Sequence, residues 1–276
     1  PSSKPIFHTQ LLGLLDQFKE FGKTASGGIT RLAASFEEKL AREHLCRWLK
    51  DHDIEVLIDP IGNIFGVLDL GEDYPDRAFF CGSHLDSQPE GGNFDGVLGV
   101  ACACIASINL KAEIAQRKVD PTYRYFVICC WTGEEGARFQ PSLIGSSVFS
   151  GQLTLDEALS LTDSDQIQLK DALFESGFLG TDQAPVPSHY LELHIEQGTK
   201  LEKSGDAIGL VGACWGAEKI RLKVKGTADH TGPTPMEDRR DALLAASLLI
   251  AEVKSISVSS EHELYSSVGR IELHPN

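Results

Sequence analysis

Apolar residues recur at helical spacing in the first fifty residues of the chain. From position 11 to 21 the repeat predicts an amphipathic helix, with its apolar stripe formed by Leu11, Leu14, Leu15, Phe18 and Phe21. A second stripe runs from Phe36 to Leu49 and follows Ser35, with Glu38 three residues further on. Serine followed by glutamate at this spacing is typical of a capping box, so we expect the second helix to begin here.

Shorter apolar runs then predict β-strands. Residues 54–58 and 64–70 flank the sequence Asp-Pro-Ile-Gly-Asn at 59–63, which is a strong turn signal. This arrangement favours a hairpin or the edge of a sheet.

The middle of the chain has the pattern of a βαβ unit. Strand-like runs at 78–83 and 123–130 enclose a stretch of small apolar residues at 97–110, which predicts a helix packed closely on the sheet. Ligands of such units collect beyond the carboxyl ends of the strands. We therefore expect ligand-binding or catalytic residues in the loops that follow both strands.

The pattern changes after residue 205. Three stretches are predicted as strands and one as a helix: 207–211, 219–225 and 267–273 for the strands, and 238–255 for the helix. We predict an α/β protein whose larger domain, over 1–210, has a mixed sheet flanked by helices. Residues 211–276 are predicted to begin a smaller α+β domain.

Composition narrows the classes of partner and the compartment. The formal net charge of -15 argues against nucleic acids and anionic membranes as partners. Seven cysteines without a CxxC pair favour reduced thiols over a disulfide framework. The N-terminus has no leader pattern, and we expect no membrane-spanning stretch. These features predict a cytoplasmic protein, unless processing has removed a signal.

Two loop segments carry candidate metal ligands. His84 and Asp86 are two residues apart on an extended segment, so one can bind a metal while the other orients its ring. The alternative is a histidine with an ordinary surface hydrogen bond. Asp95 lies between glycines where the loop meets a helix, and there the alternative is a helix cap.

Two further segments could complete such a site. Glu134 and Glu135 follow the second strand of the βαβ unit, and adjacent carboxylates repel each other unless a cation or shared proton compensates. One could bind metal while the other acts as general base. A solvated acidic turn is the alternative. His194 ends a later extended segment and could equally make a structural hydrogen bond.

Taken together, six motifs resemble one enzyme family over essentially the whole chain. They are GSHLDS at 82–87, GGNFDGVLGV at 91–100, EEGARF at 134–139, GS at 145–146, ELHIEQG at 192–198 and HTGPTPMEDRRDA at 230–242. The chain resembles the dinuclear-metal amidohydrolases related to aminoacylases and bacterial carboxypeptidases. It is most similar to the branch of N-carbamoyl-L-amino-acid hydrolases, beta-ureidopropionases and allantoate amidohydrolases.

The resemblance implies a metal-binding catalytic domain over 1–210 and the start of a lid or dimerisation domain over 211–276. It implies two divalent metal ions, Zn or Mn, with Co and Ni as alternatives. The implied metal ligands are His84, Asp95 as the bridge, Glu135 and His194.

The resemblance also implies roles in catalysis and substrate binding. Glu134 would be the general base, Asp86 would orient His84, and His230 would stabilise the oxyanion. Gln197 and Arg239 would contact the substrate. The expected protein is a homodimer that acts on a small ureido or carbamoyl substrate, cleaves its linear C–N bond and releases ammonia.

Relatives differ from this sequence in three respects. They have Asn more often than Gly at position 133, before the acidic pair, and Ala or Ser more often than Thr at position 231. They are also longer, and return to the catalytic sheet with a fifth metal ligand and a carboxylate-binding arginine. We therefore expect a truncated chain that binds metal weakly or at one site and is inactive alone. The alternatives are a dinuclear aminopeptidase or deacylase, and a non-catalytic dimerising or regulatory relative.

Overall fold

The computed structural model describes residues 4–274, which divide into two units, one ending at Ile208 and the other beginning at Gly209. All five strands lie in the first unit: β1 Glu55–Ile58, β2 Ile64–Asp69, β3 Ala78–His84, β4 Tyr125–Trp131 and β5 Pro187–Leu191. They form one sheet in the order β1-β2-β4-β3-β5. The first three of these are antiparallel neighbours, whereas β3 runs parallel to β4 and β5. The predicted mixed sheet is confirmed.

The predicted βαβ unit forms the centre of this sheet. Helix α3, Val97–Ala115, connects β3 to β4 and is longer than the sequence pattern suggested. The two strands pair in parallel with His84 opposite Trp131. Because both strands end at the same edge, the loops that follow them lie next to each other.

The remaining helices of the first unit flank this sheet and connect its strands. Their bounds are α1 Lys4–Lys19, α2 Phe36–Asp51, α4 Ile144–Phe149, α5 Leu155–Leu159, α6 Leu169–Ser176 and α7 Lys200–Ser204. The residues predicted for the two N-terminal stripes largely fall in α1 and α2, and Leu14, Leu45 and Leu49 are buried in the main core.

The capping box predicted for α2 forms only in part. The side chain of Ser35 accepts a hydrogen bond from the backbone N–H of Glu38 at 3.2 Å. The carboxylate of Glu38 does not return this bond, but accepts from Ala34 and pairs with the buried guanidinium of Arg42 at 3.1 Å. The Ser35 N–H instead donates to Leu32. Glu38 therefore joins the helix start to a buried ion pair.

Two glycines allow close packing around β3. A Cβ atom on Gly82 would overlap the carbonyl oxygen of Cys129 on β4. A Cβ atom on Gly99 would lie 2.6 Å from the carbonyl oxygen of Leu193 and 2.7 Å from the side chain of Ser83. Only glycine leaves room for strand, helix and the segment after β5 at these positions.

The cysteines are all free, as the sequence predicted. Burial raises the pKa of six of the thiols: Cys46, Cys81, Cys102, Cys104, Cys129 and Cys130. The seventh, Cys214, lies in the second unit and is exposed.

The second unit differs from its prediction. It contains a 3₁₀ turn at Met236–Asp238 and helix α8 at Ala242–Ser259, four residues later than predicted. None of the three predicted strands forms among the described residues 209–274, so those predictions are wrong. A strand needs a hydrogen-bonded neighbour, and the alternating Ile220 and Leu222 remain 73% and 67% exposed.

Two helices contradict the expectation that no stretch could span a membrane. By length and composition alone, α3 and α8 are both long and apolar enough to do so. Many residues of α3, including Val100 and Ala101, are buried in the core of the first unit, where the helix packs on the sheet. Helix α8 has no buried residue.

Candidate metal centre

His84 ends β3 and is 1% exposed, so it is not the surface histidine of the alternative interpretation. Its Nδ1 lies 2.9 Å from the carbonyl oxygen of Asp86 and 3.5 Å from Oδ1 of the same residue. Its Nε2 points at two carboxylates, 3.5 Å from Glu134 Oε2 and 3.8 Å from Asp95 Oδ1. Asp86 therefore fixes one ring nitrogen and leaves the other for a ligand role.

Asp86 also connects β3 to the acidic pair that follows β4. One oxygen of its buried carboxylate accepts the backbone N–H of Glu134 and the other that of Glu135, both at 3.1 Å. A carboxylate that accepts two backbone N–H groups gains strong, directional hydrogen bonds. The predicted orienting residue of His84 thus also places the predicted base and the predicted second metal ligand.

The backbone before the acidic pair explains why glycine and asparagine both suit position 133. Gly133 has φ of +62°, in the left-handed region. Glycine adopts this conformation freely, and asparagine tolerates it better than most residues. A glycine at this position is compatible with the same turn.

Asp95 does not cap the helix that follows it. The N-cap of α3 is Gly96, and the cap has no side-chain hydrogen bond. Asp95 instead directs Oδ1 at Nε2 of His194, 3.2 Å away, and accepts a 2.6 Å hydrogen bond from Gln197 Nε2 on Oδ2. Gly96 leaves room for the ring of His84, because a Cβ atom at position 96 would lie 2.5 Å from that ring.

His194 lies three residues beyond the end of β5, although the sequence suggested that it would end a strand. Its Nδ1 bonds to the carbonyl oxygen of Ile195 at 2.9 Å, which leaves Nε2 for Asp95. The rings of His84 and His194 are 5.9 Å apart. The two predicted histidine ligands therefore face the same carboxylate.

Two overlapping groups of side chains could each hold a metal ion. In each group the donor atoms lie within 4.8 Å of one another, and the groups are His84, Asp95 and His194, and His84, Glu134 and Glu135. Two atoms that bind one tetrahedral Zn²⁺ at about 2.0–2.1 Å are roughly 3.4 Å apart. The distances of 3.2–3.8 Å among His84, Asp95, His194 and Glu134 are close to this value. This set of nitrogen and carboxylate donors fits a divalent transition metal.

The electrostatics of the centre favour a positive charge. Burial disfavours the imidazolium form of His84, but the hydrogen bond and charge of Asp86, together with Glu134, raise its pKa to about 9. Burial also raises the pKa of Glu134; His84 lowers it, while Asp86, Glu135 and Glu192 raise it further. A carboxylate whose proton affinity is increased in this way is suited to proton transfer.

Two residues that support the centre, Gln88 and Arg31, are not marked by any pattern in the sequence. Gln88 donates its side-chain amide to Glu135. Buried Arg31 donates to the carbonyl oxygens of Leu85, Phe18 and Phe21 and so fixes the loop after His84. A single arginine or glutamine in a loop has no spacing that marks it, so only the folded structure identifies these roles.

Glu192 adds another carboxylate near the centre. It accepts hydrogen bonds from Ser83 and from Tyr190, the latter at 2.5 Å, and Tyr190 in turn accepts from Trp131 at 3.0 Å. Glu134 and Glu192 border a cavity of about 760 Å³ whose other walls are mainly apolar. Glu192 stands two residues before His194 on an extended segment, and this period-two spacing could have identified it.

Two predicted residues belong to the second unit. The Nδ1 of His230 accepts the backbone N–H of Gly232 at 3.0 Å. Arg239 donates to the carbonyl oxygens of Thr231 and Thr234, and so it holds the loop that carries His230. Their roles toward the oxyanion and the substrate stay predictions.

Known proteins resemble this chain closely. No protein-family model matches the sequence. The chain is 40% identical over 266 residues to a Mycolicibacterium smegmatis protein named as a hydrolase. It is 33% identical to the N-carbamoyl-L-amino acid amidohydrolase of Geobacillus stearothermophilus over 268 residues and to the allantoate amidohydrolase of Bacillus subtilis over 266. The alignments cover 94–95% of this chain and 60–63% of these relatives.

A solved structure agrees with these relatives. An amidase of the hydantoinase/carbamoylase family from Burkholderia vietnamiensis matches with a TM-score of 0.83 and 32% identity, over 97% of this chain and 64% of that one. The homologues of this chain are therefore N-carbamoyl-L-amino-acid and allantoate amidohydrolases and amidases of the hydantoinase/carbamoylase family. This confirms the resemblance drawn from the motifs.

The mixed sheet and its flanking helices match the fold of that solved amidase. The chain spans about three-fifths of the length of the relatives. The activities in the relatives' names are those of the longer relatives themselves.

Proposed function

We propose that this protein is a metal-dependent amidohydrolase that cleaves the linear C–N bond of an N-carbamoyl amino acid or a related ureido acid and releases ammonia. The observation that carries the proposal is the pair of donor groups that share His84 at the carboxyl ends of β3 and β4. The relatives named as N-carbamoyl-L-amino acid and allantoate amidohydrolases support the substrate class.

The proposed metal centre holds two divalent ions, Zn or Mn, with Co and Ni as alternatives. His84, Asp95 and His194 would hold one ion, and Glu135, in the other donor group, would belong to the second. The bridging role of Asp95 stays a prediction. Bound divalent ions would activate water and polarise the scissile carbonyl. The mixed imidazole and carboxylate donors are consistent with all four metals.

Side chains of the protein would provide proton transfer, positioning, substrate binding and oxyanion stabilisation. Glu134, whose pKa is raised by burial, would accept the proton of the attacking water and deliver it to the leaving nitrogen. Asp86 holds Glu134 and His84 in place through its carboxylate and its carbonyl group. Gln197, which donates to Asp95, would contact the substrate. We assign His230 to oxyanion stabilisation and Arg239 to substrate binding.

The second unit would form a lid or dimerisation domain over residues 211–276. Its helix α8 exposes large apolar side chains, including Leu244 at 54% and Leu248 at 66%, and a homodimer contact would cover such residues. The seven free thiols suit a cytoplasmic protein.

The test is ammonia release after the purified chain is loaded in turn with Zn²⁺ and Mn²⁺. The substrates are N-carbamoyl amino acids, 3-ureidopropionate and allantoate, with an N-acetyl amino acid and a dipeptide for the competing class. Hydrolysis of at least one ureido compound would support the proposed function and overturn the expectation, drawn from the sequence, that this chain is inactive alone. Glu134→Gln should reduce such hydrolysis about 10²–10⁴-fold. Exposed Glu202→Gln is the matched control and should retain activity.

Three outcomes separate the hypotheses. Cleavage of only the dipeptide or the acetylated substrate would favour a peptidase or deacylase. Metal binding without hydrolysis of any substrate would favour a non-catalytic relative, or a chain that lacks part of the site. Ammonia release that survives Glu134→Gln would contradict the assigned base.

A further inference from the structure

Gln88 makes two contacts with Glu135, the predicted ligand of the second metal. Its side-chain Nε2 lies 3.0 Å from the carbonyl oxygen of Glu135 and 3.0 Å from the carboxylate oxygen Oε2. A primary amide has two N–H donors, so both bonds can form at once. Gln88 thereby contacts the backbone and the carboxylate of the same residue.

The turn that carries Gln88 is itself held in place. The carbonyl oxygen of Gln88 accepts bonds from Ser87 Oγ at 2.9 Å and from the N–H of Gly91 at 3.2 Å. Gly91 and Ile29 exchange two backbone hydrogen bonds of 2.8 and 2.9 Å. Pro89 restricts the backbone between these anchors. The amide therefore reaches Glu135 from a fixed base, although the side chain of Gln88 is exposed.

Glu135 needs such a partner. Its backbone N–H is fixed by Asp86 at 3.1 Å, but its carboxylate lies next to that of Glu134 within one donor group. Repulsion between two carboxylates and the freedom of a long side chain both favour turning Glu135 away into water. A hydrogen bond from Gln88 opposes this movement.

The chemistry of an amide suits this task better than that of a cation. A lysine or arginine at position 88 would also orient the carboxylate, but its charge would compete with a metal ion for it. The neutral amide of Gln88 orients Glu135 and leaves the negative charge of the Glu135 carboxylate available to a metal. The carboxylate also has further lone pairs that a metal can use.

We propose that Gln88 is a positioning residue that holds the carboxylate of Glu135 ready to bind a divalent cation. This inference rests on the metal centre assigned under the proposed function. It adds a residue that no motif of the sequence singled out.

The test measures binding of Co²⁺ alone by titration calorimetry and by visible absorption. Gln88→Met keeps the length of the side chain and removes both donors. We expect it to weaken Co²⁺ binding about 10–100-fold, the usual effect of losing a partner behind a metal ligand. The Tm of the metal-free chain should change by no more than about 2 °C, because the side chain is exposed. Exposed Gln183→Met is the matched control and should bind Co²⁺ like the wild type.

A double-mutant cycle separates positioning from a general structural effect. If Gln88 acts through Glu135, Gln88→Met should change Co²⁺ affinity less than about twofold when Glu135→Gln is already present. A full loss in that background would overturn the positioning role.

Two other results would overturn the inference, and they have different meanings. Unchanged Co²⁺ affinity in Gln88→Met would overturn the role of Gln88 and leave the proposed function intact. A wild-type chain that binds no Co²⁺ would overturn both. A third result would separate the two proposals. If the wild type binds Co²⁺ and Gln88→Met weakens this binding, but no ureido substrate is hydrolysed, the role of Gln88 would be supported and the proposed function contradicted.

Discussion

At the scale of single residues, Asp86 has more partners than its position in the motif suggests. Its carboxylate accepts the N–H groups of Glu134 and Glu135, and its carbonyl oxygen meets the ring of His84. We predict that Asp86→Asn lowers the free energy of unfolding by about 2–4 kcal/mol, since the amide replaces one buried acceptor with a donor. Co²⁺ affinity should fall about 10–100-fold.

Urea unfolding and Co²⁺ titration measure these two effects. Asp53→Asn is the matched control: Asp53 has an 89% exposed side chain and pairs only across 3.5 Å with Lys111. Its unfolding free energy should change by no more than about 0.5 kcal/mol. Equal stability of the two variants would contradict the bridging role of Asp86.

The surroundings of His44 predict that the stability of the N-terminal helices depends on pH. Its ring packs against Phe18 and Phe21, with ring centroids 5.2 and 5.4 Å away, and its buried Nε2 has no hydrogen-bond partner among residues 4–274. Burial, together with Arg47, lowers its pKa below the ordinary value of 6.5. The unfolded chain therefore takes up the proton first, so this contribution to stability is present above about pH 6.5 and is lost as the pH falls.

We predict that His44→Leu makes the free energy of unfolding less dependent on pH between 7 and 5. Urea unfolding at several pH values measures this, and the other titrating groups contribute equally to both proteins. Exposed His8→Leu serves as the control and should retain the wild-type dependence. The same slope in His44→Leu and wild type would refute the prediction.

The residues of the centre were predictable to different degrees. The parallel strands of a βαβ unit bring His84 and Glu134 to one edge by topology alone, and the sequence pattern was enough to predict this. The hydrogen bonds from Gln197 to Asp95 and from Gln88 to Glu135 depend on loop conformation and side-chain rotamers. No periodicity encodes these.

At the scale of elements, the contact between β3 and β4 depends on the absence of a side chain at position 82. We predict that Gly82→Ala lowers the free energy of unfolding by more than about 3 kcal/mol, because the new Cβ overlaps the backbone of Cys129. Gly13→Ala is the control, and its expected effect on the free energy of unfolding has the opposite sign. Gly13 is exposed within α1 with no atom near a new Cβ, so alanine there should stabilise by about 0.5–1 kcal/mol.

Thermal and urea unfolding of both alanine variants measure the difference. A Gly82→Ala protein as stable as Gly13→Ala would show that the strands can move apart without cost. Such a result would contradict close packing as the reason for glycine at this position.

Elements were predicted well where local pattern and packing agree. Strands β1 to β4 and the first part of α3 form where the apolar runs indicated, because their neighbours in the sheet are present. Strand β5, Pro187–Leu191, lies earlier than the predicted extended run that ends at His194. Apolar and polar residues alternate over 219–225, yet no strand forms there, because a strand requires pairing and burial in addition to alternation. The helix pattern of α8 forms because a helix satisfies its backbone hydrogen bonds internally.

At the scale of the whole molecule, bound metal should stabilise the fold. The candidate ligands come from β3, from the loops after β3 and β4, and from the segment after β5, so a metal ion would connect distant parts of the first unit. At a free concentration 100 times the dissociation constant, a ligand of the folded state adds about 2.7 kcal/mol. We predict a rise in Tm of roughly 5–10 °C with Zn²⁺ or Mn²⁺.

Differential scanning calorimetry measures this shift. Excess EDTA should reverse it, and His84→Ala should abolish it because His84 belongs to both donor groups. Equal shifts in wild type and His84→Ala would indicate that the metals bind elsewhere.

The distribution of thiols offers a practical route to observing the second unit. Four cysteines are buried and two, Cys46 and Cys102, are half-buried; all six have raised pKa values, while Cys214 alone is exposed. A maleimide dye should therefore label the wild-type chain preferentially at Cys214, without any engineered cysteine. Fluorescence from that label would report on the surroundings of Cys214 as substrate or metal is added.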